Sequence, residues 1–100
     1  MIIVDQLRDW GWHHGPSSHL ISTLPGAEGS AELVAFVEKI GLKRKWIQKP
    51  GTHREHFDLN ERAHNEALEA GAIEVDWRTL VRAIRAKKDG KVFPTVPELD

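Results

Sequence analysis

The chain has no cysteine, and that absence removes several kinds of chemistry at once. Without thiols there is no disulfide framework, thiolate nucleophile, redox exchange or zinc-finger site, so any metal would need imidazole and carboxylate ligands. Charge of one dominant sign is also missing. The 14 Lys and Arg residues against 15 Asp and Glu leave a net charge of -1, so binding to nucleic acid or an anionic membrane would depend on a local patch, not on the global field. Long apolar runs are absent too. After Met1 only Ile2, Ile3 and Val4 stand together before Asp5, too few for a signal-peptide core or a bilayer span. There is no internal repeat and no low-complexity run. The expectation is a soluble, cytoplasmic protein that does not engage membranes, and 100 residues at 40% hydrophobic content suit one modest core.

The residues present describe a small α/β domain. Ile2 to Val4 are β-branched and uninterrupted, as in a strand buried on both faces. Asp5 stands at its carboxyl end, where open α/β sheets gather ligands, so the loop from Asp5 to Ser18 is a natural site-building segment. Ser18 to Ser22 predict a second strand, with His19 and Ile21 on one face and Leu20 on the other. Ser30 reads as the N-cap of a first helix, in which Leu33, Phe36, Val37 and Ile40 recur at i, i+3, i+4 and i+7 before Gly41 stops it. Lys43 to Lys49 read as a strand with Arg44, Trp46 and Gln48 on one face, and the stretch from Thr52 to Leu59 as a loop. Asn60 caps a second helix that packs through Ala63, Ala67 and Ala70 and ends at Gly71. A short strand over Ala72 to Val75 follows. Asp76 then caps a third helix, with Trp77, Leu80, Val81 and Ile84 on its apolar stripe and Gly90 after it. The expected architecture is a single compact domain over residues 1–90, with about four short strands packed by three helices, and an extended tail over 91–100.

Histidine placement carries the functional signal. His13, His14, His19, His53 and His56 fall in two short polar stretches near Asp5, Arg8, Asp58 and Arg62. From these we select His19, His56, Asp5 and Asp58 as candidate catalytic residues. A neutral imidazole takes a proton near pH 7, a protonated one donates to a leaving group, and a neighbouring carboxylate fixes the tautomer. Arg8 and Arg62 are candidate phosphate clamps, with Trp46 and Gln48 as ligand contacts. Trp10 and Trp12 flank Gly11 and are candidate stacking surfaces, whereas Trp77, on a helical apolar stripe, reads as core. Histidine and aspartate also ligate divalent metals such as zinc and manganese, so a metal-activated water is an alternative. Arg78, Arg82 and Arg85 recur at i, i+4 and i+7, and Lys87, Lys88 and Lys91 extend them into a basic face that would suit phosphate backbones.

Taken in order, Val4-Asp5, Ser18-His19-Leu20, Ile40-Gly41-Leu42, Trp46-x-Gln48, His56-Phe57-Asp58-Leu59 and Gly71-Ala72 resemble the small bacterial and phage proteins of domain-of-unknown-function family 4031. The resemblance runs from about Ile2 to about Ile84 and implies a compact α/β domain with no established activity. His19, His56 and Asp58 match the family pattern. This chain departs from it where Cys-His-Met is usual (Ser18-His19-Leu20), where His-Tyr-Asp is usual (His56-Phe57-Asp58), and where an Asp often follows the first His (Ser22 or Thr23). Its LPGAEGS segment is also longer than usual. The phage members imply interference with a host nucleotide signal or nucleic-acid pathway.

The leading expectation is therefore binding of a phosphate-bearing small molecule, a nucleotide, with hydrolysis of a phosphoester by the His/Asp/Arg group. One alternative is a noncatalytic binder that sequesters a nucleotide or a host protein. The other is a nucleic-acid module using the third helix.

Overall fold

The computed structural model describes residues 1–13 and 15–93, so His14 and the segment 94–100 of the expected tail lie outside the described residues. The fold is α/β, a four-stranded mixed sheet with helices on both faces. Strand β1 (Ile2–Val4) is fully buried and sits inside the sheet, whose order is β3-β2-β1-β4. It pairs antiparallel with β2 (Ser17–Ser22), Ile3 opposite Ile21, and parallel with β4 (Ile73–Glu74). Strand β3 (Phe57–Asn60) pairs antiparallel with β2, placing His19 opposite Asp58.

Strand alternation sorts the side chains into two cores. Val4, Leu20, Phe57 and Leu59 cluster with Leu33 and Val37 of α1 (Gly26–Lys39) and with Ala63 and Ala67 of α2 (Glu61–Glu69). On the other face, Ile3 and Ile21 meet Leu80 and Ala83 of α3 (Trp77–Lys88) together with Phe93. The expected caps form as read: Asn60 accepts from the N–H of Ala63, and Asp76 from that of Thr79. Gly41 and Gly71 follow α1 and α2 at φ 84° and 109°, conformations that terminate helices and that a side chain disfavours.

Four local expectations are corrected. Helix α1 begins at Gly26, with Pro25 rather than Ser30 at the N-cap. The Ser30 hydroxyl lies inside the helix and donates to Glu55 instead. Residues 43–49 do not form a strand but contain a single 3-10 turn at Arg44–Trp46. Ile47 packs against the first core, and the segment's contact with the sheet is one bridge between Gln48 and His56. Lys49, at its end, adopts a left-handed φ of 53°. Part of the expected loop from Thr52 to Leu59 is instead the start of β3, where buried Phe57 and Leu59 alternate with exposed Asp58 and Asn60. Finally, Trp77 is 40% exposed. The apolar stripe of α3 is divided, with Leu80 and Ala83 against the sheet and Trp77, Val81 and Ile84 along an open cleft.

Candidate functional site

Three backbone segments bring the candidate acid–base residues together. Asp5 follows β1, His19 lies in β2, and His56 and Asp58 flank the first residue of β3. The β2–β3 register then makes the contact between His19 and Asp58 a consequence of sheet pairing. Asp5 is 1% exposed. Its Oδ1 accepts the backbone N–H of His19 at 2.6 Å, and its Oδ2 lies 2.9 Å from His19 Nδ1. A proton held on Nδ1 by that carboxylate leaves the lone pair of neutral His19 on Nε2.

The far side of His19 faces Asp58. Asp58 Oδ1 lies 3.8 Å from His19 Nε2 and 3.3 Å from His56 Nε2. The two imidazole rings stand edge to face with centroids 5.5 Å apart. His56 Nδ1 donates to the carbonyl of Arg54 at 2.7 Å. Burial by itself opposes charge on His56, but the Asp58 hydrogen bond, the Arg54 carbonyl and the charges of Asp58 and Asp5 outweigh it and raise the imidazole above its ordinary value. The His56 hydrogen bond holds Asp58 below the usual carboxylate value; partial burial opposes this, and the charges of His56 and His19 assist it.

These opposite shifts make stability depend on pH in a defined window. The raised His56 stabilises the fold below its ordinary value of 6.5 and loses that contribution as pH rises through its folded value. The depressed Asp58 contributes above its ordinary value of 3.8 and loses that contribution as pH falls through its folded value. Asp58→Asn removes the Asp58 effect and the part of the His56 effect that comes from Asp58, leaving the Arg54 carbonyl and the Asp5 charge. Urea unfolding of the native and variant proteins should therefore differ most between about pH 4 and about pH 6.5 and converge on either side. A difference that does not vary with pH would disprove the coupling.

His19 and His56 open into a cleft of about 520 Å³ between the sheet and α3. Ile21, Leu80, Val81 and Ile84 supply apolar walls, while Lys49, Arg54, Arg85 and Lys88 place four cations around it. Trp77 lines one side, with Trp10 against it: their rings lie 5.5 Å apart, and those of Trp10 and Trp77 are 5.3 and 5.7 Å from the His19 ring. Arg8 reaches this wall indirectly, its guanidinium 4.6 Å from the Trp10 ring.

Other candidates are dispersed. Arg62 is 88% exposed and pairs with Glu66 along α2, away from the cleft walls. Trp12 turns to the ring of His13, because Gly11 takes φ 80° and breaks the extended path that would have aligned it with Trp10. Trp46 is 48% exposed beneath the Lys43 ammonium. Gln48 contributes its backbone to the bridge with His56, while its side chain donates to the Trp46 carbonyl. Arg78 and Arg82 are exposed on α3. Among the described residues no group of three or more His, Asp or Glu side chains is arranged to hold a metal ion.

The structure adds residues that sequence reasoning missed. Lys49 and Arg54 surround the turn before His56, and their spacing carries no periodic signal. Arg85 and Lys88 were legible as basic residues, but only the docking of α3 turns them to the cleft. On the opposite face of β2, buried Ser18 Oγ lies 2.7 Å from His64 Nδ1, and His64 Nε2 lies 2.8 Å from Glu74. Ser18 is fully buried and His64 is 2% exposed, so this chain of polar groups ties β2 and α2 together in the core and reaches the surface only at Glu74 of β4, which is 41% exposed.

Among the described residues, no helix is long and apolar enough to cross a membrane. No curated protein and no solved structure matches the chain. A family model described as "Protein of unknown function (DUF4031)" matches residues 2–87 of the 100, and the chain belongs to that family.

Proposed function

We propose that the cleft binds a nucleotide and hydrolyses a phosphoester in it, in the cytoplasm of a bacterial or phage-infected cell. The observation that carries this reading is the pair of imidazoles 5.5 Å apart, both directing Nε2 toward Asp58 in a cleft with four cations. Lys49, Arg54, Arg85 and Lys88 offset the charge on nonbridging phosphate oxygens. The indole of Trp77, backed by Trp10, offers a face for a base.

In the proposed reaction, His19 Nε2 takes a proton from water as the water oxygen bonds to phosphorus. The bond from phosphorus to the ester oxygen breaks, and His56 gives its Nε2 proton to that oxygen. The products are an alcohol and a phosphate one ester poorer. Asp5 holds the His19 tautomer, and Asp58 keeps His56 protonated until transfer. A left-handed backbone at Lys49, uncommon for a residue with a side chain, sits at this cleft, in keeping with strain collecting at functional sites.

The test is a panel of nucleoside monophosphates, diphosphates, cyclic nucleotides and dinucleotides, followed by indole fluorescence and phosphorus NMR. At least one should quench fluorescence saturably, lose that quench in Trp77→Leu and yield a new phosphorus resonance. If no nucleotide binds at millimolar concentration, the reading is wrong. The Trp10–Trp77 wall also favours a second reading, noncatalytic sequestration, and a bound nucleotide recovered unchanged after long incubation would establish it.

A further inference from the structure

A second cavity of about 360 Å³ adjoins the cleft and shares His53 and Lys88 with it. Gly26, Ser30, Gly51, Thr52, Glu55 and Lys87 complete its lining. Lys87 is the unusual member. It is only 7% exposed, yet among the described residues its ammonium has no hydrogen-bond or ion-pair partner.

The nearby carboxylates are engaged elsewhere. Glu55 accepts the Ser30 hydroxyl at 2.8 and 2.9 Å and the Gly51 N–H at 2.8 Å. Glu32 accepts the N-terminal ammonium at 2.9 and 3.0 Å and also the Ser22 hydroxyl. Both act on Lys87 from a distance: burial pushes its ammonium down from the ordinary value, and the charges of Glu55 and Glu32 oppose that. The side chain is buried along its length but its nitrogen is not sealed in, since among the described residues no buried side-chain nitrogen or oxygen lacks a partner, so this unpaired ammonium opens toward the cavity that Lys87 lines, a space that a ligand can enter. Helix α1 starts at Gly26 on the same wall, with no side-chain cap on its first turn, so N–H groups and the positive end of the helix face the same region. Glu55 is the one acidic residue lining the cavity, against Lys87 and Lys88.

We infer that this cavity is an oxyanion subsite continuing the cleft, in which Lys87 and the start of α1 receive a second phosphate of a ligand whose first phosphate lies beside His19 and His56. The subsite rests on Lys87 and its cavity; the two-phosphate ligand rests also on the nucleotide reading of the cleft. The favoured ligand class is then a nucleotide bearing phosphates at two separate positions, not one bearing a single phosphate.

Calorimetry with inorganic phosphate, a nucleoside 5′-monophosphate and a nucleoside 3′,5′-bisphosphate tests both levels. The native protein should bind the bisphosphate about tenfold or more tighter than the monophosphate, as an added charge-assisted contact requires. Lys87→Met, which keeps the length of the side chain, should remove that advantage while leaving monophosphate affinity unchanged, and Lys87→Arg should preserve it. Inorganic phosphate should shift the amide resonances of Gly26 and Ala27 in the native protein, a readout that needs no variant. Equal affinity for the two nucleotides, or a preference retained in Lys87→Met, overturns the two-phosphate ligand alone. If neither nucleotide binds, the reading of the cleft falls, and phosphate binding abolished by Lys87→Met still supports the subsite. Phosphate binding indifferent to Lys87→Met, or absent, overturns the subsite.

Discussion

His19→Ala and His56→Ala are each expected to lower phosphoester turnover by about two to four orders of magnitude, the usual range for removal of a positioned acid or base. The fold should survive both changes. His56 is partly exposed, and its loss leaves Asp58 on an open edge where water can solvate it. Removing the His19 ring takes one partner from buried Asp5, but the backbone N–H of residue 19 still donates to Oδ1. The resulting cost of about 1–3 kcal/mol is smaller than the roughly 5–15 kcal/mol that holds a typical domain together. Because acid and base act in one step, the double variant should lose little more than the worse single variant. Single-turnover rates with the nucleotide found by the panel, beside far-ultraviolet circular dichroism, measure both quantities. Full activity in both single variants would remove the histidines from the mechanism.

Gly29→Ala is expected to destabilise the domain by about 3 kcal/mol, the upper part of the range for forcing volume into a packed region. The usual effect in a helix interior has the opposite sign, with Ala favoured over Gly by up to about 1 kcal/mol. The reversal comes from one close approach. A Cβ at Gly29 would overlap the carbonyl oxygen of Leu24 and lie 2.9 Å from its carbonyl carbon. Both are backbone atoms that cannot rotate away, so the turn before α1 would have to move. Urea unfolding of the variant against the native protein gives the difference directly. A variant as stable as the native protein would show that the turn yields freely.

The contrast between Gly29 and Ser30 shows where the sequence was legible. A serine ahead of an apolar helical period is a sound N-cap signal, and Leu33, Phe36, Val37 and Ile40 do lie on the packing face. The structure extends the helix back to Gly26, because Glu55, 25 residues away from Ser30, supplies the partner that the hydroxyl uses. Local pattern cannot announce a partner so distant. The same limit explains the site. Strand alternation placed His19 opposite Leu20 in face, and Asp5 at a strand end, so half of the acid–base group was readable. His56 and Asp58 were named as residues, but their approach to His19 required the register of β2 with β3. Trp77 failed for a related reason: a helical stripe records which side is apolar, not how much of that side another layer covers. Arg62 lies away from the cleft lining because nearness in sequence to Asp58 does not survive the turn into α2.

The strand order has a consequence for association. β3 is an edge, and an exposed edge invites a strand from another molecule. Here the backbone of Gln48 exchanges two hydrogen bonds with His56, at 2.8 and 3.1 Å, and so occupies the start of that edge. Farther along, Asp58 and Asn60 alternate with the buried residues, putting polar groups and a carboxylate where an incoming strand would have to pair. The same carboxylate that sits between His19 and His56 thus also puts a charge on the edge strand, the kind of feature that discourages pairing with another molecule, and its neutralisation would remove the charge from the site and from the edge together.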